Sequence, residues 1–141
     1  MHNAKPNATH SVQIEVRVRY VETDQMGIAH HTHYFSWMEA ARTELMRQGG
    51  LSYKELEDKG FKLPVREAYC KYKKGLKYDD TVLIRAELTA ISGASLKIEY
   101  KIYNKKDKDL AAEGYTVHPF TDSSGKIVKT PDFFKNLFSS P

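Results

Sequence analysis

Cysteine is nearly missing from this chain of 141 residues: Cys70 stands alone, so no internal disulfide can form, which agrees with a reducing compartment. Cys70 is also a weak nucleophile candidate, since it lies in a strand-like stretch, EAYCKYK, with no motif around it. Long apolar runs are missing too. The opening MHNAKPNATH is polar, with no apolar segment behind a basic start, so neither a membrane span nor a secretory signal is expected, and the expected location is the cytoplasm. Charge of one sign is in small excess only: the net charge is +4, and the lysines form no recognisable nucleic-acid-binding motif. Nucleic acid is therefore not an expected partner. Internal repeats and low-complexity segments are absent as well.

What the chain does have is clean periodicity. With 40% apolar residues, its length suits one domain whose core needs no staples. Residues 1–10 read as a loose tail and residues 11–141 as the single domain. SVQIEVRVRY puts Val12, Ile14, Val16, Val18 and Tyr20 on one face and Gln13, Glu15, Arg17 and Arg19 on the other, the pattern of a half-buried strand. From 32 to 48, Tyr34, Met38, Ala41 and Leu45 recur at helical spacing, and Phe35, Trp37 and Ala40 widen the apolar stripe. Gly49-Gly50 ends this helix. A short second helix is opened by Ser52 and Glu55, at capping-box spacing, and closed at Lys59-Gly60.

Beyond Phe61 the period changes to two. Strands are expected over 61–73 with a break at Pro64, then over 81–91, 95–103 and 109–120. The turns at 79–80, 92–93 and 104–109 are too short for crossover helices, so successive strands are expected to be antiparallel neighbours. A turn at 122–125 and the small apolar segment PDFFKNLF end the chain. The expected fold class is α+β, a curved antiparallel sheet wrapped around one long central helix. An open sheet edge also calls for cover, and a homodimer joined edge to edge would supply it.

Chemistry concentrates at residues 23–34, TDQMGIAHHTHY, just ahead of the long helix. Asp24 before Gly27 suits either an Asx-type turn or an acid/base carboxylate. A metal site is not expected, and no cofactor is implied. Adjacent His30 and His31 should point different ways, His33 falls one residue short of the i, i+4 zinc spacing, and no second cluster adds ligands. His31 alone reads as a hydrogen-bonding side chain, and His30 and His33 as neighbours without a demonstrable role. Tyr34 is core or pocket wall. Glu39 and Arg42, at i, i+3, are expected to form an ion pair on the helix. Lysines bunch at 71, 73, 74 and 77 and again at 105, 106 and 108, either as solvated surface or as a landing place for a phosphorylated ligand.

Arg17-Val18, then Thr23-Asp24, Gly27-Ile28, His31 and Tyr34, followed by a helix carrying Glu39, Ala41 and Arg42, make up a longer motif. By this motif the chain resembles the hotdog-fold acyl-CoA thioesterases of the 4-hydroxybenzoyl-CoA thioesterase family, including the bacterial relatives associated with the Tol-Pal system. The resemblance runs from about residue 13 to 120. Ala29 departs from the valine usual there, which touches packing. The resemblance implies a hotdog fold, acyl-CoA hydrolysis, a homodimer or homotetramer, Asp24 as the catalytic carboxylate and His31 in the site. It also implies that the helix start, with Gly27, Thr32 and Tyr34 about it, receives the substrate. The physical reasons are direct: orphan N–H groups in a first helical turn can hold a thioester oxyanion. Asp24 can then attack the carbonyl or deprotonate water.

Two other readings compete. A hotdog hydratase would carry a histidine five residues after the aspartate, where this chain has Ala29. A binding or scaffolding module for acyl-CoA or acyl carrier protein, without turnover, would keep the pocket, though the intact Thr23-Asp24 and Gly27 argue against it.

Overall fold

The computed structural model describes residues 10–138. Its elements run β1 (Ser11–Arg17), a 3-10 turn (Tyr20–Glu22), α1 (Thr32–Gln48), α2 (Tyr53–Asp58), β2 (Phe61–Lys62) and β3 (Glu67–Tyr72). They continue with β4 (Thr81–Ile91), β5 (Ser95–Asn104), β6 (Leu110–Pro119), β7 (Thr121–Asp122) and α3 (Asp132–Phe138). Period and caps placed most of these. Ser52 Oγ accepts the Glu55 N–H while the Glu55 carboxylate accepts the Ser52 N–H, so the capping box of α2 forms as expected. Pro64 marks the break between β2 and β3, where a ladder N–H would be missing. Residues 1–9 of the expected tail lie outside the described residues; the carbonyl of His10 accepts the Leu88 N–H.

Two expectations are corrected. The first strand stops at Arg17, and Tyr20, expected on its buried face, is 76% exposed. The cause is local: the Glu22 carboxylate accepts the Arg19 N–H at 2.8 Å and curls the chain into the 3-10 turn, which swings Tyr20 outward against Tyr78. The second concerns strand order. The five-stranded antiparallel sheet runs β1-β4-β5-β6-β3, so β3 and β4 are not neighbours although a short connection joins them. The β4 edge is already taken by β1, in a ladder from Ser11↔Glu87 to Arg17↔Thr81. Segment 73–80 therefore crosses beneath the motif loop, where the Leu76 carbonyl accepts the Ala29 N–H and Lys77 bridges Ile28.

This topology leaves α1 touching both sheet edges. It packs on β1 and β4, and Tyr34 meets Tyr72 of β3 ring edge to face at 4.9 Å. Tyr34, Trp37, Met38, Ala41, Leu45 and Met46 are buried by this arrangement, the larger ones each contributing about 1.5–3 kcal/mol of transfer free energy. Phe134 and Phe138 of α3 stack on each other and close the core beside Phe120.

The apolar face of the sheet carries one polar chain. His118 Nδ1 lies 3.2 Å from the Leu63 carbonyl, which can only accept, so Nδ1 bears the proton. Nε2 then accepts from the Thr116 hydroxyl at 2.8 Å, and Thr116 in turn accepts from the Tyr100 hydroxyl at 2.6 Å. Burial first, and the Arg42 charge second, push His118 from its ordinary 6.5 down to about 4. The unfolded chain thus binds a proton that the folded one refuses between those values, so stability is fully present above pH 6.5 and is lost as pH falls toward 4. The loss should be on the order of 3 kcal/mol for this group. Urea unfolding at pH 7.5 and 4.5 checks it: His118→Gln should remove most of that difference, and an unchanged difference would exclude His118 as its source.

Candidate active site

The motif loop is a small reversal fastened at its base. The Asp24 N–H donates to the Ile28 carbonyl, the Gly27 N–H to the Asp24 carbonyl, and Thr23 bridges Ala29. Gly27 sits at φ +80°, where an L side chain is strained, so glycine is what permits the turn. The buried Glu22 adds a further tie through its carbonyl, which accepts the His30 N–H at 2.8 Å. Asp24 does make the Asx turn: its Oδ1 accepts the Met26 N–H at 2.8 Å. Among the described residues its Oδ2 has no hydrogen-bond partner.

The start of α1 differs from expectation in an instructive way. His31 occupies the N-cap position but its ring does not cap; the ring of His30 does. His30 Nδ1 lies 3.3 Å from the Thr32 N–H and 2.9 Å from Thr32 Oγ1. Because an N–H can only donate, Nδ1 is the unprotonated nitrogen and the Thr32 hydroxyl donates to it as well. The His33 and Tyr34 N–H groups are taken by the carbonyls of His30 and His31. The first turn is thus less open than expected: the His31 N–H is without a partner among the described residues, and the Thr32 N–H is held only by the long bond to His30.

Asp24, Ile28, Ala29, His31, Tyr34, Tyr72, Lys73, Lys74 and Gly75 surround a cavity of about 310 Å³. Asp24, His31 and Tyr34 are therefore brought together. Gly27 and Thr32 do not line it: Gly27 serves the turn, and the Thr32 side chain is spent on His30. Tyr72, which sequence reasoning missed, donates its hydroxyl to the His31 carbonyl at 3.0 Å and so braces the helix start. Its only signal was the alternation of β3, which sets Ala68, Cys70 and Tyr72 on one face. Burial, with Cys70 alongside, pushes both Tyr34 and Tyr72 up to about 12, so both stay protonated at neutral pH.

The ring centroids of His30 and His31 lie 4.2 Å apart with the planes tilted by 30°, so the rings sit side by side and do not point different ways, because both lie in a turn where strand alternation does not apply. Among the described residues no group of three or more histidine, cysteine or acidic side chains could hold a metal ion. The expected Glu39–Arg42 ion pair is also missing among the described residues. Arg42 faces the hydroxyls of Tyr53 and Tyr100 instead. Of the lysines, Lys73 pairs with Glu113 at 3.0 Å, Lys74 with Asp107 and Asp109, and Lys105 with Glu15. Part of that charge is neutralised internally.

Residues 18–138 match the sequence profile of the thioesterase-like superfamily. The chain belongs to that superfamily. A Bacillus subtilis relative, whose name marks acyl-CoA thioesterase activity as provisional, is 40% identical over 95 residues, 67% of this chain and 69% of its own. The acyl-CoA thioester hydrolase YbgC of Escherichia coli O6:H1 is 33% identical over 92 residues, 65% of this chain and 69% of its own. The crystal structure of the DHNA-CoA thioesterase from Staphylococcus aureus superposes with a TM-score of 0.82 at 28% identity, covering 89% of this chain and 85% of that one. The antiparallel sheet packed on α1 is the hotdog fold that the motif implied.

In this thioesterase-like chain His30 is a structural participant, which gives a direct measurement. His30→Ala should cost about 1 kcal/mol through the lost cap. His33→Ala, whose ring makes no hydrogen bond among the described residues, should stay within about 0.5 kcal/mol. Denaturant midpoints for the two variants decide it, and equal losses would remove the capping role.

Proposed function

We propose that the chain is an acyl-CoA thioesterase, hydrolysing the thioester to a free acid and CoA. The observation that carries this reading is that the Asp24 carboxylate and the start of α1 open on one cavity, with Oδ1 held by the Met26 N–H. That bond aims the carboxylate without neutralising it. The thioester carbonyl would seat at the His31 and Thr32 N–H groups, where the helix dipole favours the developing oxyanion. Asp24 would then act as nucleophile or as general base toward water. His31 would orient the substrate from the cavity wall. The CoA phosphates would lie along Lys71, Lys73, Lys74 and Lys77, two of which border the cavity. The alternative is a binding or scaffolding module for acyl-CoA or acyl carrier protein without turnover.

The same proposal includes a homodimer, or a homotetramer built from such dimers. The outer edge of β3 is unpaired in the described chain, and Val65, Tyr69 and Tyr72 are exposed along it. Edges of this kind are ordinarily covered, and a second copy would cover this one and wall the cavity. Among the described residues no helix is long and apolar enough to cross a membrane, and a cytoplasmic location is proposed with the rest.

Asp24→Asn tests the chemistry. The variant keeps the acceptor for Met26 but loses the charge, so the loop should fold while turnover drops ~10²–10⁴-fold, about 3 to 5 kcal/mol of barrier, with acyl-CoA affinity nearly unchanged. Thiol release above roughly a tenth of the wild-type rate would rule out Asp24 as the catalytic group. For assembly, light scattering at micromolar concentration should give a dimer or larger, and a fully active monomer would contradict it.

A further inference from the structure

A second cavity, of about 230 Å³, lies farther along the groove between α1 and β3, lined by Phe35, Ser36, Glu39, Arg42, Ala68 and Thr116 among others. The active-site mechanism does not use it. Its geometry relates it to the first cavity. Arg42 follows His31 by about 16 Å of helix, taking ~1.5 Å per residue. On the facing strand Ala68 precedes Tyr72 by about 13 Å, taking ~3.3 Å per residue. Both cavities are therefore bordered by α1 on one side and by the β3 segment on the other, with Tyr34 in the lining of the first.

Charge at this inner cavity is unusual. Arg42 forms no carboxylate pair among the described residues; the neutral hydroxyls of Tyr53 and Tyr100 lie against it, and its charge reaches His118. A guanidinium has five N–H donors, so two tyrosine oxygens leave donors to spare. The neighbouring polar chain cannot absorb its charge, because Tyr100, Thr116 and His118 pass their protons in one direction and end on the Leu63 carbonyl. Glu39 is the one carboxylate at the cavity; it is exposed and bonds to none of them.

We infer that this recess reads the far end of the acyl group, and that Arg42 binds a carboxylate there. Acyl groups ending in a second carboxylate are then preferred over alkyl chains of equal length. The inference rests on the thioesterase reading for the acyl group, whereas the carboxylate site itself does not. A planar fork facing a carboxylate gives two parallel charge-assisted bonds, which a methyl end cannot replace. Exposed Glu39, in the lining of the same cavity, weakens the attraction.

Two measurements test it. Thiol release is compared for monothioesters of dicarboxylic acids and for alkyl acyl-CoA of matched length, over a series of lengths. At the best length kcat/KM should favour the dicarboxylic ester by at least about tenfold. Arg42→Met should bring the ratio to within about twofold of unity, Arg42→Lys should retain part of it, and Glu39→Gln should widen it. The second readout needs no turnover: calorimetric titration at pH 7 with free hexanoate and, separately, hexanol. Hexanoate should bind the wild type and lose at least about tenfold in affinity in Arg42→Met, while hexanol should bind more weakly and be indifferent to the substitution. Equal binding of hexanoate and hexanol would overturn the carboxylate site. Arg42-dependent binding of hexanoate but no hydrolysis of any ester would defeat the thioesterase reading and leave the carboxylate site standing. No preference in the wild type, a ratio indifferent to Arg42→Met, or hexanoate binding indifferent to Arg42→Met would each overturn the proposal.

Discussion

The structure depends on the burial of α1. Its apolar residues cover too much of its circumference for one flat surface to hide, and the buried set runs from Tyr34 to Met46. A sheet that meets the helix only through β1 and β4 would leave Tyr34 facing water. Contact is completed at the other edge, where Tyr72 of β3 packs on Tyr34 and hydrogen-bonds the helix start. Placing β3 there is what forces the connection 73–80 back across the sheet. That crossing in turn gives the motif loop something to lie on, through Leu76 and Lys77.

The functional cavity is a by-product of that closure. Where loop, crossing segment and helix start converge, backbone groups are already committed to one another, and few polar atoms are left over. Among the described residues the exceptions include the Asp24 Oδ2 and the N–H groups of His31 and Thr32, the latter held only by a long bond. Turn-forming and catalytic readings of Asp24 are therefore not rivals. One oxygen holds the turn, and the turn aims the other. Gly27 and His30 act at one remove, the first through a positive φ and the second through its capping ring.

Polar groups inside the sheet obey the same accounting. A buried imidazole, two hydroxyls and a carbonyl satisfy one another in a fixed direction, which is the only arrangement that leaves none of them without a partner. Arg42 stands beside this chain as an unmatched charge. Gly114 belongs to the same sheet: a Cβ there would overlap the Tyr69 carbonyl oxygen, so glycine lets β3 close onto β6.

From the sequence alone one could read the elements and their kinds, because period and caps act within a few residues. The alternation of 81–91, the spacing of Tyr34, Met38, Ala41 and Leu45, and the Ser52–Glu55 box all specify their own local backbone. The motif likewise marked Asp24, His31 and Tyr34 as a group. Which strand pairs with which was decided only by the tertiary structure, because β1 and a returning β3 compete for the same edges and the winner depends on covering α1. The missing Glu39–Arg42 pair was also decided there, as was the contact of Tyr20 with Tyr78. Arg42 had Glu39 nearby in sequence, yet meets the hydroxyls of Tyr53 and Tyr100, which come within reach only once the chain has closed.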